Sequence, residues 1–417
     1  MAGTEETTGT LYPIPEPDLT PEELIARARA LRERLIAEAP LGEASGGYSD
    51  GLHEEFMRAG FYRTLQPRRY GGYEFGLDTF LKVITEISHG DAATGWSLCL
   101  ATDHIWHVAS WFSERAQEEL FAPDGHFCAP HRAAPTGTAS PVDGGYHVEG
   151  RWDYCSGVTH STHFIATAMG PSPHDPGGVP QPLACVIPAG EYTILDDWGG
   201  GATIGLQGTG SNSVDVPGTF VPTHLVEPYE WKNFEMPAEG TPGYRLHRNP
   251  LYLGRSTTIY YGGLGAPMVG AAKAALDEYE KVVRTRPTLL PPKGPRFESP
   301  DYQRWFGEAW VLTNSAEALL DASATQYMEA GRRWEQGEPF TVADDSRIRG
   351  IAMHAGKLAF DAIDVLFSTA GSSGTKRGSR LGRCYRDGSM YKTHIGAQYD
   401  LHFVADAKVR FGLPAKI

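Results

Sequence analysis

His394 follows the pair Arg386-Asp387 by seven residues, and the stretch around it, Thr393-His394-Ile395-Gly396-Ala397, contains no carboxylate. The difference is chemical. A carboxylate base suits removal of a carbon-bound proton. An imidazole, titrating near neutrality, suits a peroxide or a phenol. A second imidazole, His104, lies eight residues after Trp96. That is about two helical turns, so on a helix both side chains face one pocket. Ser156 follows an aromatic-rich strand pattern and precedes Gly157, where the missing side chain would let the backbone approach a ring closely. Each candidate has a plainer reading: a core histidine bonded to a carbonyl, a surface or core histidine, a turn serine. Trp96, Trp106, Trp111 and Phe112 read either as the lining of an aromatic pocket or as helix core.

These residues need elements to hold them. The chain has 417 residues, 41% of them hydrophobic, which is ample for a large core in two or three domains. Residues 1–19 are polar and proline-containing and read as a loose arm. Thr20-Pro21-Glu22-Glu23 is a capping box with proline at the first helical position, and Leu24, Ala28, Leu31 and Leu35 continue it as one stripe. Residues 1–125 read as a helical domain. Residues 126–238 read as a small β domain, with alternating runs such as Tyr146-His147-Val148-Glu149 between turn signals such as Asp143-Gly144-Gly145. Residues 239–417 read as a helical bundle. One stripe is Val269, Ala272, Leu276, Tyr279 and Val283; another is Ile351, Ala355, Leu358, Ala362 and Val365. A proline-rich loop, 287–300, interrupts it.

Composition excludes several partners. The net charge of -14 would repel a nucleic acid, and no long basic run offsets it. No apolar run approaches the roughly 20 residues that span a bilayer, so no membrane partner is expected. Five cysteines are scattered without a CxxC pair, which suggests reduced thiols in a cytoplasmic protein. The acidic start, Met1 to Glu6, reads as no signal or transit peptide.

Five segments in order resemble the acyl-CoA dehydrogenase superfamily: Pro67-Arg68-Arg69-Tyr70-Gly71-Gly72, Glu86 to Trp96, Gly144 to Gly157, Trp198 with Gly205 to Ser211 and Phe220-Val221-Pro222, and the Arg386-Asp387 segment. Together they cover nearly the whole chain. The resemblance implies an α+β multidomain fold: an N-terminal helical domain, a middle β-barrel domain and a C-terminal four-helix bundle. In the dehydrogenases a glutamate often sits about one residue beyond the position of His394. Its absence, with Trp96, His104, Ser156, Gly157 and His394 in place, makes the chain look like the reduced-flavin monooxygenases, such as the two-component 4-hydroxyphenylacetate hydroxylases.

The resemblance further implies reduced FMN or FAD, supplied by a separate NAD(P)H-flavin reductase, and O2 as co-substrate. A flavin C4a-hydroperoxide formed between Ser156 and His394 would hydroxylate a small aromatic molecule, a phenol first among them. Trp96 and His104 would position that substrate, His104 by holding a phenolate. The stretch Ala129-Pro130-His131 lies where some phenol hydroxylases carry a serine contact, and His131 would contact the substrate. Ser156, Gly157 and Trp198 would contact the flavin, and Arg296 would bind its phosphate across a subunit interface. Arg386 and Asp387 read as an architectural ion pair, and a homotetramer or homodimer is expected.

Other signals are set aside. Gly208-Thr209-Gly210 precedes an alternating strand pattern, not the helix that a dinucleotide loop must open. His104-x-x-His107 lacks the glutamate of a zinc protease motif, and His160-x-x-His163 reads as a strand whose histidines point to opposite faces, so no metal is expected. Three rivals remain: an N- or S-oxygenase of the same family; an acyl-CoA dehydrogenase with tightly bound FAD, for which Glu308, Glu317 and Asp400 are candidate bases; and a catalytically silent flavin-binding or scaffold member.

Overall fold

Thr20 starts the first helix as its sequence requires. Its hydroxyl accepts the Glu23 N–H at 3.2 Å, and the Glu23 carboxylate accepts the Thr20 N–H at 3.0 Å. The structure, a computed structural model, describes residues 10–121, 126–231, 234–372, 374 and 376–413. The expected loose arm is, from residue 10 on, attached: the Leu11 and Tyr12 N–H groups donate to the Arg69 carbonyl and Leu19 is buried. Its first nine residues lie outside the described set.

Six helices come first: α1 (Pro21–Ala30), α2 (Arg32–Ser45), α3 (Asp50–Ala59), α4 (Leu77–Gly90), α5 (Ala92–Trp111) and α6 (Glu114–Leu120). Asp91 caps α5, its carboxylate accepting the Thr94 N–H at 2.9 Å. Eighteen of the 20 residues of α5 are buried, so the helix has no solvent face. Its polar side chains must find partners inside. Thr102 donates to the Leu98 carbonyl and Ser110 to the Trp106 carbonyl, each four residues back.

Seven strands follow: β1 (His131–Val142), β2 (Gly145–Trp152), β3 (His163–Gly170), β4 (Gln181–Pro188), β5 (Thr193–Ile194), β6 (Val214–Pro222) and β7 (Val226–Pro228). The β region expected as a barrel-like unit is one mixed sheet in the order β5-β6-β2-β1-β3-β4-β7. Among these described strands only β1 and β3 pair in parallel. The Gly144 turn joins β1 to β2, with Val142 opposite Gly145.

Helices resume with α7 (Pro242–His247), then the long α8 (Ser256–Thr285), α9 (Pro300–Glu335) and α10 (Val342–Ala370), and finally α11 (Arg380–Tyr391) and α12 (Tyr399–Arg410). α8 packs against α4, α5, α9, α10 and α11, and so ties the first helices to the last. Its expected stripe from Val269 to Val283 is buried throughout. In α10 the buried face runs instead through Ile348, Ala352, Ala355, Ala359, Ile363 and Leu366, and Ile351, Leu358 and Val365 lie half-buried on its shoulder. Alanines form much of that face, and a pattern read from large side chains is drawn toward its edge. All five cysteines are buried and unpaired. Among the described residues no helix is long and apolar enough to cross a membrane.

Candidate active site

A cavity of about 380 Å³ lies where α5, β1, the 154–156 and 206–211 turns, and the segment after α11 converge. Ligand sites of small-molecule enzymes fall in the range of roughly 300–1,000 Å³. Its lining brings together Trp96, His104, His131, Ser156, Trp198 and His394. Of the eight singled-out site residues, only Gly157 and Arg296 are missing from it.

One cluster surrounds Ser156. The Trp96 Nε1–H donates to the Ser156 hydroxyl at 3.3 Å, and that hydroxyl lies 2.7 Å from the Ser211 hydroxyl. Ser211 in turn lies 2.6 Å from the Thr209 hydroxyl, which donates to the Leu206 carbonyl at 2.8 Å. Backbone bonds hold the two turns together: Gly157 N–H to the Thr209 carbonyl at 2.9 Å, and Cys155 N–H to the Asn212 carbonyl at 3.2 Å. Gly157 sits at φ 86°, and a Cβ there would come 2.7 Å from the Ser97 carbonyl oxygen of α5. Its close approach is therefore to α5.

His394 follows α11 and caps a short 3-10 turn, Ile395–Ala397. Its Nδ1 accepts the Gly396 N–H at 3.0 Å. A neutral imidazole accepting at Nδ1 carries its proton on Nε2, so His394 offers an N–H donor. Burial, helped by the positive charge of Arg132, lowers its pKa to about 4 and keeps it neutral. The Trp96 ring meets it edge-on at 5.3 Å.

The second cluster surrounds His104. Its Nδ1 lies 2.8 Å from the Leu100 carbonyl, an acceptor, so Nδ1 carries a proton, and a ring with that single proton offers Nε2 as an acceptor. The buried Asp103 carboxylate lies 3.0 Å from the same Nδ1. His107 and the edge of His131 pack against His104 at 5.2 and 5.3 Å, and His131 bonds Thr167 at 2.8 Å. Tyr229 and Tyr260 complete this part of the lining.

Arg296 lies elsewhere. Its guanidinium donates to the Pro287 and Ala370 carbonyls and stacks over Tyr302, so within this chain it fastens the 287–300 loop to the end of α10. Trp106, Trp111 and Phe112 are not in the lining; Trp106 donates to the Leu251 carbonyl, and the other two pack on Trp231. Arg386 and Asp387 do not pair with each other. Arg386 and Arg383 both reach Glu43, while Asp387 accepts the Leu206 N–H at 2.7 Å. Leu206 holds φ 51°, a left-handed conformation costly for a branched side chain, and Asp387 secures it. His160 ends a 3-10 turn and only His163 begins a strand; neither belongs to a metal cluster, none being found among the described residues.

The sequence reading missed Arg132, Thr209, Ser211, Tyr229 and Tyr260. Thr209 and Ser211 stood in a segment read for its resemblance and, at Gly208-Thr209-Gly210, as a phosphate loop set aside, and their hydroxyls were not singled out. Arg132 adjoins His131, a singled-out position. Nothing in local spacing marks Tyr229 or Tyr260, which reach the cavity from a linker and from α8.

Burial, with the neighbouring Asp91 charge, raises Asp387 from its ordinary value to about 7. A raised carboxyl favours the fold while protonated, so its contribution is full below about pH 4 and is lost as pH rises through about 7. Asp387→Asn keeps the acceptor for Leu206. The variant should gain roughly 2–4 kcal/mol relative to the parent between pH 5 and pH 8, read from urea midpoints. An unchanged difference between the two pH values would contradict this.

Residues 262–399 match the family described as acyl-CoA dehydrogenase, C-terminal domain. Helices, a mixed sheet and then long helices form an acyl-CoA dehydrogenase-like fold. The chain is 29% identical to the oxygenase subunit HsaA of a flavin-dependent monooxygenase from Rhodococcus jostii, over 93% of this chain and 98% of the relative. It is 28% identical to the oxygenase component of an FADH2-dependent resorcinol hydroxylase from a Rhizobium species, over 82% of each. The crystal structure of the HsaA monooxygenase from M. tuberculosis superimposes with a TM-score of 0.84 at 25% identity, covering 96% of this chain and 99% of that one. In sequence and fold the chain is thus similar to the oxygenase components of flavin-dependent monooxygenases.

Proposed function

We propose that this chain binds reduced FMN or FAD delivered by a separate reductase and uses O2 to hydroxylate a small phenolic molecule. The observation that carries the reading is the opposite polarity of two histidines in one cavity. The backbone places a proton on the Leu100-facing nitrogen of His104, so that its singly protonated ring turns an acceptor to the cavity, and makes His394 a donor. A phenolic O–H suits the acceptor, and its partial deprotonation enriches the electron density of the ring to be attacked.

The residues also fit a flavin. Trp96 and Trp198 supply flat walls, and Ser156 and His394 supply an acceptor and a donor beside them. Bound reduced flavin would supply two electrons, so that one oxygen atom of O2 enters the ring and the other leaves as water. Ser156 and Trp198 would hold the flavin, Trp96 would separate it from the substrate, and His131 would pack beside the substrate's anchor. No carboxylate lines the cavity among the described residues. Glu308 and Asp400 are exposed and Glu317 pairs with Lys273, which weighs against the dehydrogenase. The exposed apolar side chains Trp310 and Val311 of α9, and Leu401, Phe403 and Val404 of α12, support a homodimer or homotetramer. Five buried, unpaired cysteines suit the cytoplasm.

The test supplies reduced FMN or FAD, O2 and a panel of phenols, and measures hydroxylated product. Product should form, and His104→Ala should lower kcat/KM for phenols about 100-fold. Turnover of amines or thioethers that His104→Ala leaves untouched would move the reading to N- or S-oxygenation. Product formed only from acyl thioesters would replace it with the dehydrogenase.

A further inference from the structure

The hydroxyls of Ser156, Ser211 and Thr209 form a chain with one direction. Each hydroxyl has a single proton to donate. Thr209 spends its proton on the Leu206 carbonyl, because a carbonyl oxygen 2.8 Å away accepts and cannot donate. Ser211, 2.6 Å from Thr209, must then donate to it, and Ser156, 2.7 Å from Ser211, must donate to Ser211. Trp96 donates to Ser156 from the other side. Ser156 is thereby left with no proton for the cavity and with one lone pair facing it.

This direction has a consequence for the ligand, on the reading that the ligand is a flavin. The reduced isoalloxazine carries an N–H donor at N5, where the oxidised ring carries an acceptor. A lone pair on Ser156 attracts the first and repels the second. We infer that Ser211 and Thr209 act as positioning residues that make the site select reduced over oxidised flavin, by fixing the direction of the Ser156 hydroxyl. Without them the Ser156 proton is free to turn toward the cavity and serve the oxidised ring equally well. Such a device suits a site that must take up a reduced carrier and release it once oxidised.

Dissociation constants for oxidised FMN and FAD, and for the same flavins reduced under anaerobic conditions, test this on the full-length protein. The parent should bind the reduced form at least about tenfold more tightly, the range that one hydrogen bond gained against one repelled supplies. Ser211→Ala should shrink that ratio about tenfold, mainly by tightening the oxidised complex. Thr209→Val should do the same and serves if Ser211→Ala does not fold; Thr209→Ser should restore the parent ratio. A merely structural role would weaken both complexes together and leave the ratio unmoved. That result, or a parent ratio near one, overturns the inference and leaves the flavin reading standing. A parent that binds neither form overturns the flavin reading, and the inference with it.

Discussion

Replacing His394 with alanine is expected to lower the hydroxylated product formed per reduced flavin consumed by about 100-fold, while reduced-flavin affinity changes little. The size is that of a positioned proton donor. The loss falls on chemistry because His394 offers one N–H into the cavity and spends its other nitrogen on the backbone N–H of Gly396. Burial and Arg132 keep the ring neutral down to about pH 4. The donor is therefore the same species across the neutral range, and the parent's yield should stay flat from pH 8 to about pH 5 as far as His394 is concerned. His394→Gln, whose amide also donates, should recover part of the yield. The measurement is product against reduced flavin oxidised in single-turnover reactions at several pH values. A His394→Ala variant with the parent's yield would remove this residue from the proton chemistry.

Gly205→Ala is expected to empty the site of flavin at a modest cost in global stability. A Cβ at Gly205 would lie inside the contact distance of the Arg386 carbonyl and 2.6 Å from the Asp387 nitrogen. Both partners are backbone of α11, and α11 is packed on α8 and α10, so neither can give way cheaply. The turn must move instead. Leu206 then loses the Asp387 carboxylate that holds its left-handed conformation, and the displaced Leu206 carbonyl no longer fixes the Thr209 hydroxyl. Overpacking of this kind costs about 1–3 kcal/mol. Thermal melts should record a shift of a few degrees, while equilibrium titration should show at least a tenfold loss of reduced-flavin affinity. A folded Gly205→Ala protein with the parent's affinity would mean that the 205–211 turn does not govern the site.

The helical elements were legible because their signals are local. The Thr20 box, the α8 stripe and the proline-rich break at 287–300 each need only a few neighbouring residues to be read. The candidate site was legible where a side chain's role follows from its own element, as with Trp96 and His104 on one face of α5. It was not legible where the role depends on a distant partner. Arg386 adjoins Asp387 in sequence, yet one turns to α2 and the other to the 206 turn. Gly157 was marked for an approach to a ring, and its close neighbour within the chain, a helix 60 residues earlier, was not foreseen. Arg296 looked like an available cation, and only the fold shows its donors given to carbonyls. The tautomers of the two histidines, which decide their chemistry, come from the Gly396 N–H and the Leu100 carbonyl and cannot be read from histidine spacing.

One consequence of α5 concerns what the cavity will accept. Trp96 stands in one cluster and His104 in the other, and both ride on the same buried helix. At 1.5 Å per residue their separation along the axis is about 12 Å. A helix enclosed on every side cannot stretch or slide, so on the proposed reading α5 would work as a measuring rod between the flavin end of the cavity and the substrate's anchor. Molecules whose ring stays out of reach of the flavin while His104 holds them would consume reduced flavin without being oxidised themselves. Evolution of this chain toward a longer or shorter substrate would have to proceed through β1 and the Tyr229 and Tyr260 segments, because the rod itself has a fixed length.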